Sequence, residues 1–177
     1  MFSLILADDF SGACDTAARA WPGSAALLAP PWEAPGADIL ALSTETRHAS
    51  AAGARALIRA LAPQLTGRAL YKKIDSTLRG PWIAEVDEIL QVTEYSQAVV
   101  CPAFPAQGRT VQGGWLYLDG KPLQRIECPF TVRDAATEDD LKRLASEICS
   151  SILPVGSAGL ARHLFRSAPD RLPLTPD

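Results

Sequence analysis

Charged residues follow three short apolar runs of the sequence, and each charged group precedes a predicted helix. Asp8 and Asp9 follow the first run, Arg47 follows the second, and the third leads into a dense polar segment, Lys72–Gly80. Parallel sheets bind ligands just past the carboxyl ends of their strands. If the three runs are parallel strands, these residues meet at one edge of the sheet. Carboxylates there can orient or deprotonate a hydroxyl, and guanidinium groups can hold an anion.

The segment Lys72–Gly80 carries the highest density of functional groups. Side chains alternate along a strand, so Lys73 and Asp75 share one face and only one of the two adjacent lysines faces a site. Ser76 adds a hydroxyl. Arg79 lies just before a predicted helix start, where a planar guanidinium can grip a carboxylate or a phosphate. The structural alternative is that Asp75 pairs with Lys73 or Arg79 only to organise the turn.

The adjacent carboxylates of Asp8 and Asp9 repel each other, so hydroxyls, amides or a basic partner must hold them. One of them could accept hydrogen bonds from substrate hydroxyls or remove a proton. The structural alternative is that one caps the following helix. Arg109 lies in the Pro/Gly-rich loop after the predicted fifth strand, and it would reach the same edge as Arg47.

The alternation of apolar runs with helical segments predicts an α/β fold, in which helices flank a mostly parallel sheet. Asp119-Gly120 predicts a β-hairpin insertion near residues 114–125. Thr137, followed by three acidic residues, predicts a helix start. Prolines 30, 31 and 35 predict a loop. The predicted strands are Ser3–Ala7, Ala25–Ala29, Asp38–Leu42, Ala69–Ile74, Ala98–Cys101 and Ile152–Val155. The predicted helices are 13–20, 51–62 (stopped near Pro63), 81–91, 137–150 and one that follows Gly159.

The composition of this 177-residue chain is that of a soluble globular protein, with 47% hydrophobic and 21% charged residues. A net charge of −3 argues against nucleic-acid binding. No apolar run is long enough to cross a bilayer, and the first residues lack the basic start of a signal peptide. The four cysteines and two histidines have no metal-ligand spacing. We therefore expect a cytoplasmic protein that binds no nucleic acid, membrane or metal.

Nucleotide-binding motifs are absent from the sequence, which has neither G-x-x-x-x-G-K-[ST] nor G-x-G-x-x-G. A weaker candidate is the turn Gly156-Ser157-Ala158-Gly159, in which the backbone amides around Gly156, Ser157 and Gly159 could cradle an anion. The acidic run from Asp8 also suggests a phosphatase-like enzyme that uses Asp8. That class needs an Asp-x-Asp pattern, and position 10 is Phe.

Four ordered segments resemble the amino-terminal domain of the four-carbon acid sugar kinases. They are Ala7–Thr16, Thr44–Arg47, Tyr71–Gly80 and Pro102–Thr110. The resemblance extends over residues 3–123, and more loosely over 130–164. It implies ATP-dependent transfer of phosphate to a terminal hydroxyl of a small acid such as threonate, erythronate or 3-oxo-tetronate.

The resemblance also implies a division of labour between two domains. Residues 1–167 correspond to the domain that binds the sugar acid, shortened after about residue 123, and 168–177 form a Pro-rich tail. ATP and Mg²⁺ bind mainly to a carboxyl-terminal domain, which is missing here. We therefore expect the substrate-binding part of a kinase that needs a partner chain for the nucleotide. The alternative is a non-catalytic sugar-acid-binding module or a truncated remnant.

The residues that match the family's motifs carry its expected roles. Asp8 or Asp9 is the candidate that orients or deprotonates the acceptor hydroxyl. The candidate substrate-binding residues are Arg47, Lys73, Asp75, Ser76, Arg79 and Arg109.

Overall fold

The structure is a computed structural model that describes residues 4–20, 24–27 and 39–165. The strands are β1 (Leu4–Ala7), β2 (Ser24–Leu27), β3 (Ile39–Ser43), β4 (Leu70–Lys73), β5 (Gln97–Cys101), β6 (Arg109–Gln112), β7 (Trp115–Leu118), β8 (Lys121–Arg125), β9 (Thr131–Val132) and β10 (Ile152–Gly156). The helices are α1 (Phe10–Ala20), α2 (Ala51–Leu65), α3 (Trp82–Val92), α4 (Glu138–Glu147) and α5 (Ala158–Phe165).

The main sheet has seven parallel strands in the order β2-β3-β1-β4-β10-β5-β9. The connection from β1 through α1 leads to β2, towards one end of the sheet, and the connection from β3 through α2 leads to β4, towards the other end. Because such connections are right-handed, α1 and α2 lie on opposite faces of the sheet. Accordingly, α1 packs against α5, and α2 packs against α3. Strands β1 and β3 are buried along their whole length, as expected for parallel strands covered on both faces. The predicted α/β fold is confirmed.

The register of the sheet aligns the carboxyl ends of the central strands. Ala7 of β1 is the Cα partner of Ser43 on one side and of Lys73 on the other. Gly156 of β10 is the partner of both Lys73 and Cys101. The loops that follow these strands therefore begin side by side. The chain order reverses across β1, and doubly wound sheets bind their ligands at the carboxyl edge beside such a reversal.

A second, three-stranded antiparallel sheet of order β6-β7-β8 lies beside this edge. Asp119 and Gly120, with φ of 50° and 76°, form the two-residue turn between β7 and β8, so the predicted hairpin is confirmed. The sequence did not predict β6, the third strand of this sheet, nor β9 of the main sheet. The Gln124 side-chain amide donates to the Thr77 carbonyl at 2.7 Å, which ties the small sheet to the turn after β4.

Helix boundaries differ from the prediction where local contacts extend or shorten an element. Helix α1 begins at Phe10 rather than 13, because the Asp9 carboxylate accepts the Gly12 amide at 2.8 Å and caps it. Helix α2 continues past Pro63 to Leu65. The Thr66 amide and hydroxyl both donate to the carbonyl of residue 62, at 3.0 and 2.9 Å, and complete that last turn.

Two further helices also depart from the expected bounds. Pro81 precedes α3 as its N-cap instead of occupying the first helical position. Helix α4 starts after Thr137 with a capping box to Asp140, as predicted, but ends at Glu147, ahead of the residues that lead into β10. The predicted loop around prolines 30, 31 and 35 and the Pro-rich tail 168–177 lie outside the described residues.

Candidate functional site

The Arg47 guanidinium joins two of the polar loops. It donates from Nε and Nη2 to the two carboxylate oxygens of Asp8, both at 2.9 Å, and from Nη1 to Asp9 at 2.5 Å. The Asp8 side chain is buried, and Arg47 is only 13% exposed. Burial by itself lowers the pKa of Arg47, but the bonds and charges of Asp8, Asp9 and Asp75 raise it, so the guanidinium stays charged. These ion pairs of Arg47 therefore lie at the carboxyl edge of the sheet and are largely shielded from solvent.

Asp75 organises the turn after β4. Its carboxylate accepts the Thr77 amide at 3.0 Å, the Thr77 hydroxyl at 2.6 Å, and two guanidinium bonds from Arg79 at 3.0 and 2.6 Å. Burial acts to raise the pKa of Asp75, but the hydrogen bonds from Arg79 and Thr77 outweigh it and hold the pKa well below its usual range. The turn is joined to the ion pairs of Arg47, because Arg47 Nη2 lies 3.8 Å from Asp75 Oδ1.

Lys73 is the third cationic group near these carboxylates. Its side chain is buried, and the ammonium donates to the carbonyl of Ile74 at 2.8 Å. Burial lowers the pKa of Lys73, and the neighbouring Asp8, Asp9 and Asp75 only partly counteract that effect. Lys72 points to the opposite side of β4, where it pairs with Glu85. The expected alternation therefore places one lysine of the pair at the edge and buries the other beneath it.

The cluster combines three carboxylates with three cationic groups, so it is nearly neutral as a whole. Its accessible members are Asp9, whose side chain is 23% exposed, and Arg79, at 64%. A neutral site with one reachable acceptor and one reachable guanidinium suits a small molecule that carries both hydroxyls and a negative charge. The members of the cluster are Asp8, Asp9, Arg47, Lys73, Asp75 and Arg79.

The loops that carry the cluster contain strained backbone. Leu78 and Glu45 have φ of 63° and 50°, in the left-handed region that side chains rarely adopt. Gly80, with φ of 83°, lies so close to the neighbouring loop that an added Cβ would meet the Arg47 carbonyl oxygen at 3.1 Å. Non-glycine residues keep such conformations only where surrounding contacts enforce them, and such sites are often functional.

The remaining site candidates are Ser76 and Arg109. Ser76 lies in the Asp75 turn and is partly buried. Arg109 begins β6, and its Nη1 donates to the Gln107 carbonyl and side chain at 3.0 and 3.1 Å, so the contacts it makes with described residues are local. A role of either residue in binding a substrate stays a prediction.

The turn after β10 is tightly packed. An added Cβ on Gly156 would lie 2.4 Å from the Cys101 carbonyl oxygen, and one on Gly159 would lie 2.5 Å from that of Ala103. The Ser157 hydroxyl donates to the Ala103 carbonyl at 2.9 Å and accepts the Gly159 amide. Packing accounts for both glycines, and these residues do not present a free cradle of amides to a nucleotide phosphate. Nucleotide binding at this turn stays a prediction.

Sequence reasoning missed a buried polar network below the site, formed by Lys72, Glu85, Thr44 and Thr46. A signal for it exists, because a lysine on the buried face of a central strand needs a charged partner. Glu85 interrupts the apolar stripe of α3, three residues after the buried Trp82. A lysine in a buried strand and a glutamate in an apolar helix stripe could together have identified the Lys72–Glu85 ion pair.

Other chemistries find less support. An aspartate nucleophile must reach its substrate, whereas both oxygens of the buried Asp8 are held by Arg47. In the described ranges, no three His, Cys, Asp or Glu side chains come together as a metal site. The cysteines are free, and burial raises the pKa of Cys101 to about 12. No helix in the described part of the chain is long and apolar enough to span a membrane.

Fold and site together define a doubly wound α/β domain with a cluster of charged side chains at the carboxyl edge of its sheet. Within that class, the chain belongs to the sugar-binding N-terminal domain family, whose model matches residues 3–129. This confirms the resemblance to the amino-terminal domain of the four-carbon acid sugar kinases.

Relatives with named activities cover most of the chain. A D-threonate kinase of Bordetella bronchiseptica is 36% identical over 93% of this chain and 44% of its own length. A D-erythronate kinase of Heliobacterium modesticaldum is 33% identical over 70% of this chain and 31% of its own. The chain therefore spans less than half the length of these kinases.

A crystal structure of a domain-of-unknown-function protein from Bordetella bronchiseptica has the same fold. It superposes with a TM-score of 0.82 at 33% identity, over 94% of this chain and 56% of that one. That protein was solved with bound citrate as a domain-swapped dimer.

Proposed function

We propose that this chain is the substrate-binding domain of an ATP-dependent kinase that phosphorylates a terminal hydroxyl of a four-carbon sugar acid, with D-threonate as the first candidate. The observation that carries the proposal is the cluster of Asp9, Arg47, Lys73, Asp75 and Arg79 at the carboxyl edge of the sheet, in a domain whose relatives are named for such kinases.

Arg79 is the proposed carboxylate-binding group. Two of its five N–H donors go to Asp75, which fixes the guanidinium plane and leaves the other donors directed to solvent. A preorganised guanidinium forms a bidentate bond to a carboxylate at a lower entropic cost than a free side chain. The citrate bound by the structural relative, itself a hydroxy acid, supports a preference for this kind of ligand.

Asp9 is the proposed partner of the acceptor hydroxyl. Its two oxygens already accept the Gly12 amide and Arg47, but each carboxylate oxygen can accept a second hydrogen bond, and the group is partly exposed. Phosphoryl transfer depends mainly on positioning and charge neutralisation, so the role of Asp9 is to orient the hydroxyl and receive its proton. The buried Asp8 carboxylate accepts two hydrogen bonds from Arg47 and so holds its guanidinium in place.

ATP and Mg²⁺ are the proposed phosphoryl donor and its metal, by analogy with the kinase relatives. The packed turn of Gly156, Ser157 and Gly159 offers the nucleotide few free backbone amides. We propose that a region equivalent to the rest of the kinases' length supplies the nucleotide site, on this or a partner polypeptide. In that arrangement the present domain selects the acid and presents its hydroxyl.

Calorimetric titration of the chain with D-threonate and D-erythronate tests the proposal. Threitol, which keeps the hydroxyls but lacks the carboxylate, is the matched control ligand. We expect saturable heat with at least one acid and none with threitol over the same concentrations. The absence of binding to either acid would overturn the proposal, and equal binding of threitol would remove the carboxylate from it.

A further inference from the structure

A fully buried ion pair lies beneath the candidate site. Lys72 Nζ and Glu85 Oε2 are 3.1 Å apart, and both side chains are completely shielded from solvent. Among the described residues neither atom has a hydrogen bond of good geometry, so the contact is an ion pair alone. Such a pair is often no more stabilising than well-packed apolar side chains, because desolvation offsets the attraction. Its presence therefore calls for a reason other than stability.

The other oxygen of Glu85 reaches the loop that carries Arg47. Glu85 Oε1 accepts the Thr46 hydroxyl at 2.6 Å, and the Thr44 hydroxyl lies 3.4 Å from it. The two threonine hydroxyls are 2.6 Å apart, and Thr44 also donates to the Ala7 carbonyl at 2.9 Å, one residue before Asp8. The network thus connects β4, the start of α3, the loop after β3 and the end of β1.

These connections hold every segment that supplies the cluster. Thr46 precedes Arg47 directly, and its neighbour Glu45 is held at a positive φ of 50°. Lys72 precedes Lys73, and Glu85 lies in the first turn of the helix that follows Arg79. Because the buried Glu85 carboxylate accepts a hydrogen bond from Thr46, it also fixes the position of the adjacent Arg47 backbone.

We propose that Thr46 and Glu85 are positioning residues, which hold Arg47 in register with Asp8 and Asp9 through the Thr46–Glu85 hydrogen bond. Lys72 supplies the charge that keeps the Glu85 carboxylate in the interior. The consequence for sugar-acid binding rests on the proposed function, whereas the effect on Arg47 does not.

The substitution Thr46→Val removes the hydroxyl and keeps the shape of the side chain. We expect it to weaken D-threonate binding by about 10-fold, and Thr46→Ser to restore most of the affinity. Thr93→Val is the matched control: it removes a hydroxyl that donates to the Ile89 carbonyl at 2.7 Å at the far end of α3, and it leaves binding unchanged.

A ligand-free measurement separates this proposal from the proposed function. In ¹⁵N-labelled protein, the Arg47 Nε–H signal, assigned with Arg47→Lys, exchanges slowly with water because Asp8 holds it. We expect at least 10-fold faster exchange in Thr46→Val and no change in Thr93→Val. If the wild-type chain binds no sugar acid, the proposed function fails while this comparison still decides the positioning role. An unchanged Arg47 signal in Thr46→Val overturns it.

Two double variants separate the acceptor from the buried charge. Lys72→Met with Glu85→Gln removes both charges but keeps an oxygen that can accept from Thr46, so Arg47 exchange stays slow. Lys72→Met with Glu85→Leu removes the acceptor as well, so exchange becomes fast at similar thermal stability. Equal Arg47 exchange in the two double variants also overturns the proposal.

Discussion

Arg47 and Arg79 make nearly the same contact in different surroundings. Each places a guanidinium fork on an aspartate, Arg47 on Asp8 and Arg79 on Asp75. Arg47 is 39 residues from its partner and largely buried, whereas Arg79 is four residues from Asp75 and mostly exposed. The first pair joins two segments that only the folded sheet brings together, and the second forms within one turn.

The difference in burial indicates that one arginine supports the structure of the site and the other is available to a ligand. A buried fork that is removed leaves carboxylates without a partner in the interior, which costs several kcal/mol. The Arg79 guanidinium is exposed to water, and the Thr77 amide and hydroxyl still hold the buried Asp75 carboxylate when Arg79 is removed, so the loss of this ion pair costs less. Arg47 is therefore the structural half of the cluster, and Arg79 is the half that a ligand can reach.

The largest effect is expected from Arg47→Ala. It leaves buried Asp8 without its two guanidinium bonds, so we expect the free energy of unfolding to fall by about 3 kcal/mol. Urea denaturation at neutral pH measures the loss. Arg133→Ala, which breaks an exposed pair with Glu147, is the control and should cost less than about 1 kcal/mol. Equal losses in the two variants would contradict the contrast.

Arg79→Ala is expected to act on binding instead. We predict about a 30-fold weaker affinity for D-threonate, because the preorganised guanidinium is lost, with less than about 1 kcal/mol change in stability. Calorimetry and thermal melting measure the two quantities. Arg143→Ala, which removes an equally exposed arginine paired with Asp140, should change neither. A clear loss of melting temperature with unchanged binding would assign Arg79 to structure.

The partner of Arg79 makes stability depend on pH. The folded pKa of Asp75 lies below its unfolded value of about 3.9, so the ionised group stabilises the native state above pH ~4. That contribution is lost as the pH falls through the folded pKa. Asp75→Asn should therefore be about 1.5 kcal/mol less stable than wild type at pH 7. Urea titrations from pH 7 to 2 should show this gap closing below pH ~4, and a constant gap would argue against it.

The smallest effect tests how closely Asp9 is held beside Arg47. Gly12 and Gly53 are each the third residue of a helix and donate to a capping side chain, Asp9 and Ser50. A methyl group on Gly12 would lie 2.4 Å from Asp9 Oδ1, whereas one on Gly53 would lie 3.3 Å from Ser50 Oγ.

Alanine for glycine stabilises an unhindered helix by up to about 1 kcal/mol. We expect part of that gain for Gly53→Ala, because the Ser50 hydroxyl needs to move by only a few tenths of an ångström. For Gly12→Ala we expect no gain in stability and about threefold weaker D-threonate binding. Thermal melting and calorimetry measure both variants. An equal gain in stability for the two variants would show that the Asp9 side chain moves aside at no cost. Arg47 would then be held by Asp8 alone.

Local patterns in the sequence predicted several features of the site. Strand alternation separated Lys73 from Lys72, and the position of Asp8 and Asp9 after an apolar run placed them at the edge of the sheet. The Asp119-Gly120 pair predicted its hairpin, because few dipeptides take two positive φ angles in a row. Each of these inferences rests on neighbours in the chain, and each concerns a contact that forms over a few residues.

Long-range partners were outside the reach of such patterns. The proximity of Arg47 to Asp8 depends on β3 pairing with β1. The Lys72–Glu85–Thr46 network depends on α3 bringing Glu85 against β4 and the loop after β3. Strand order is set by the summed burial of all the strands and helices, which no single motif encodes.

The sequence alone therefore determined the alternation of strands and helices, the hairpin and the chemical identity of the polar loops, since local propensity and periodicity govern these. Only the tertiary structure decided which arginine is buried, which aspartate remains reachable and which lysine pairs with a buried glutamate. The reason is that exposure and charge pairing depend on what packs against a residue from distant parts of the chain.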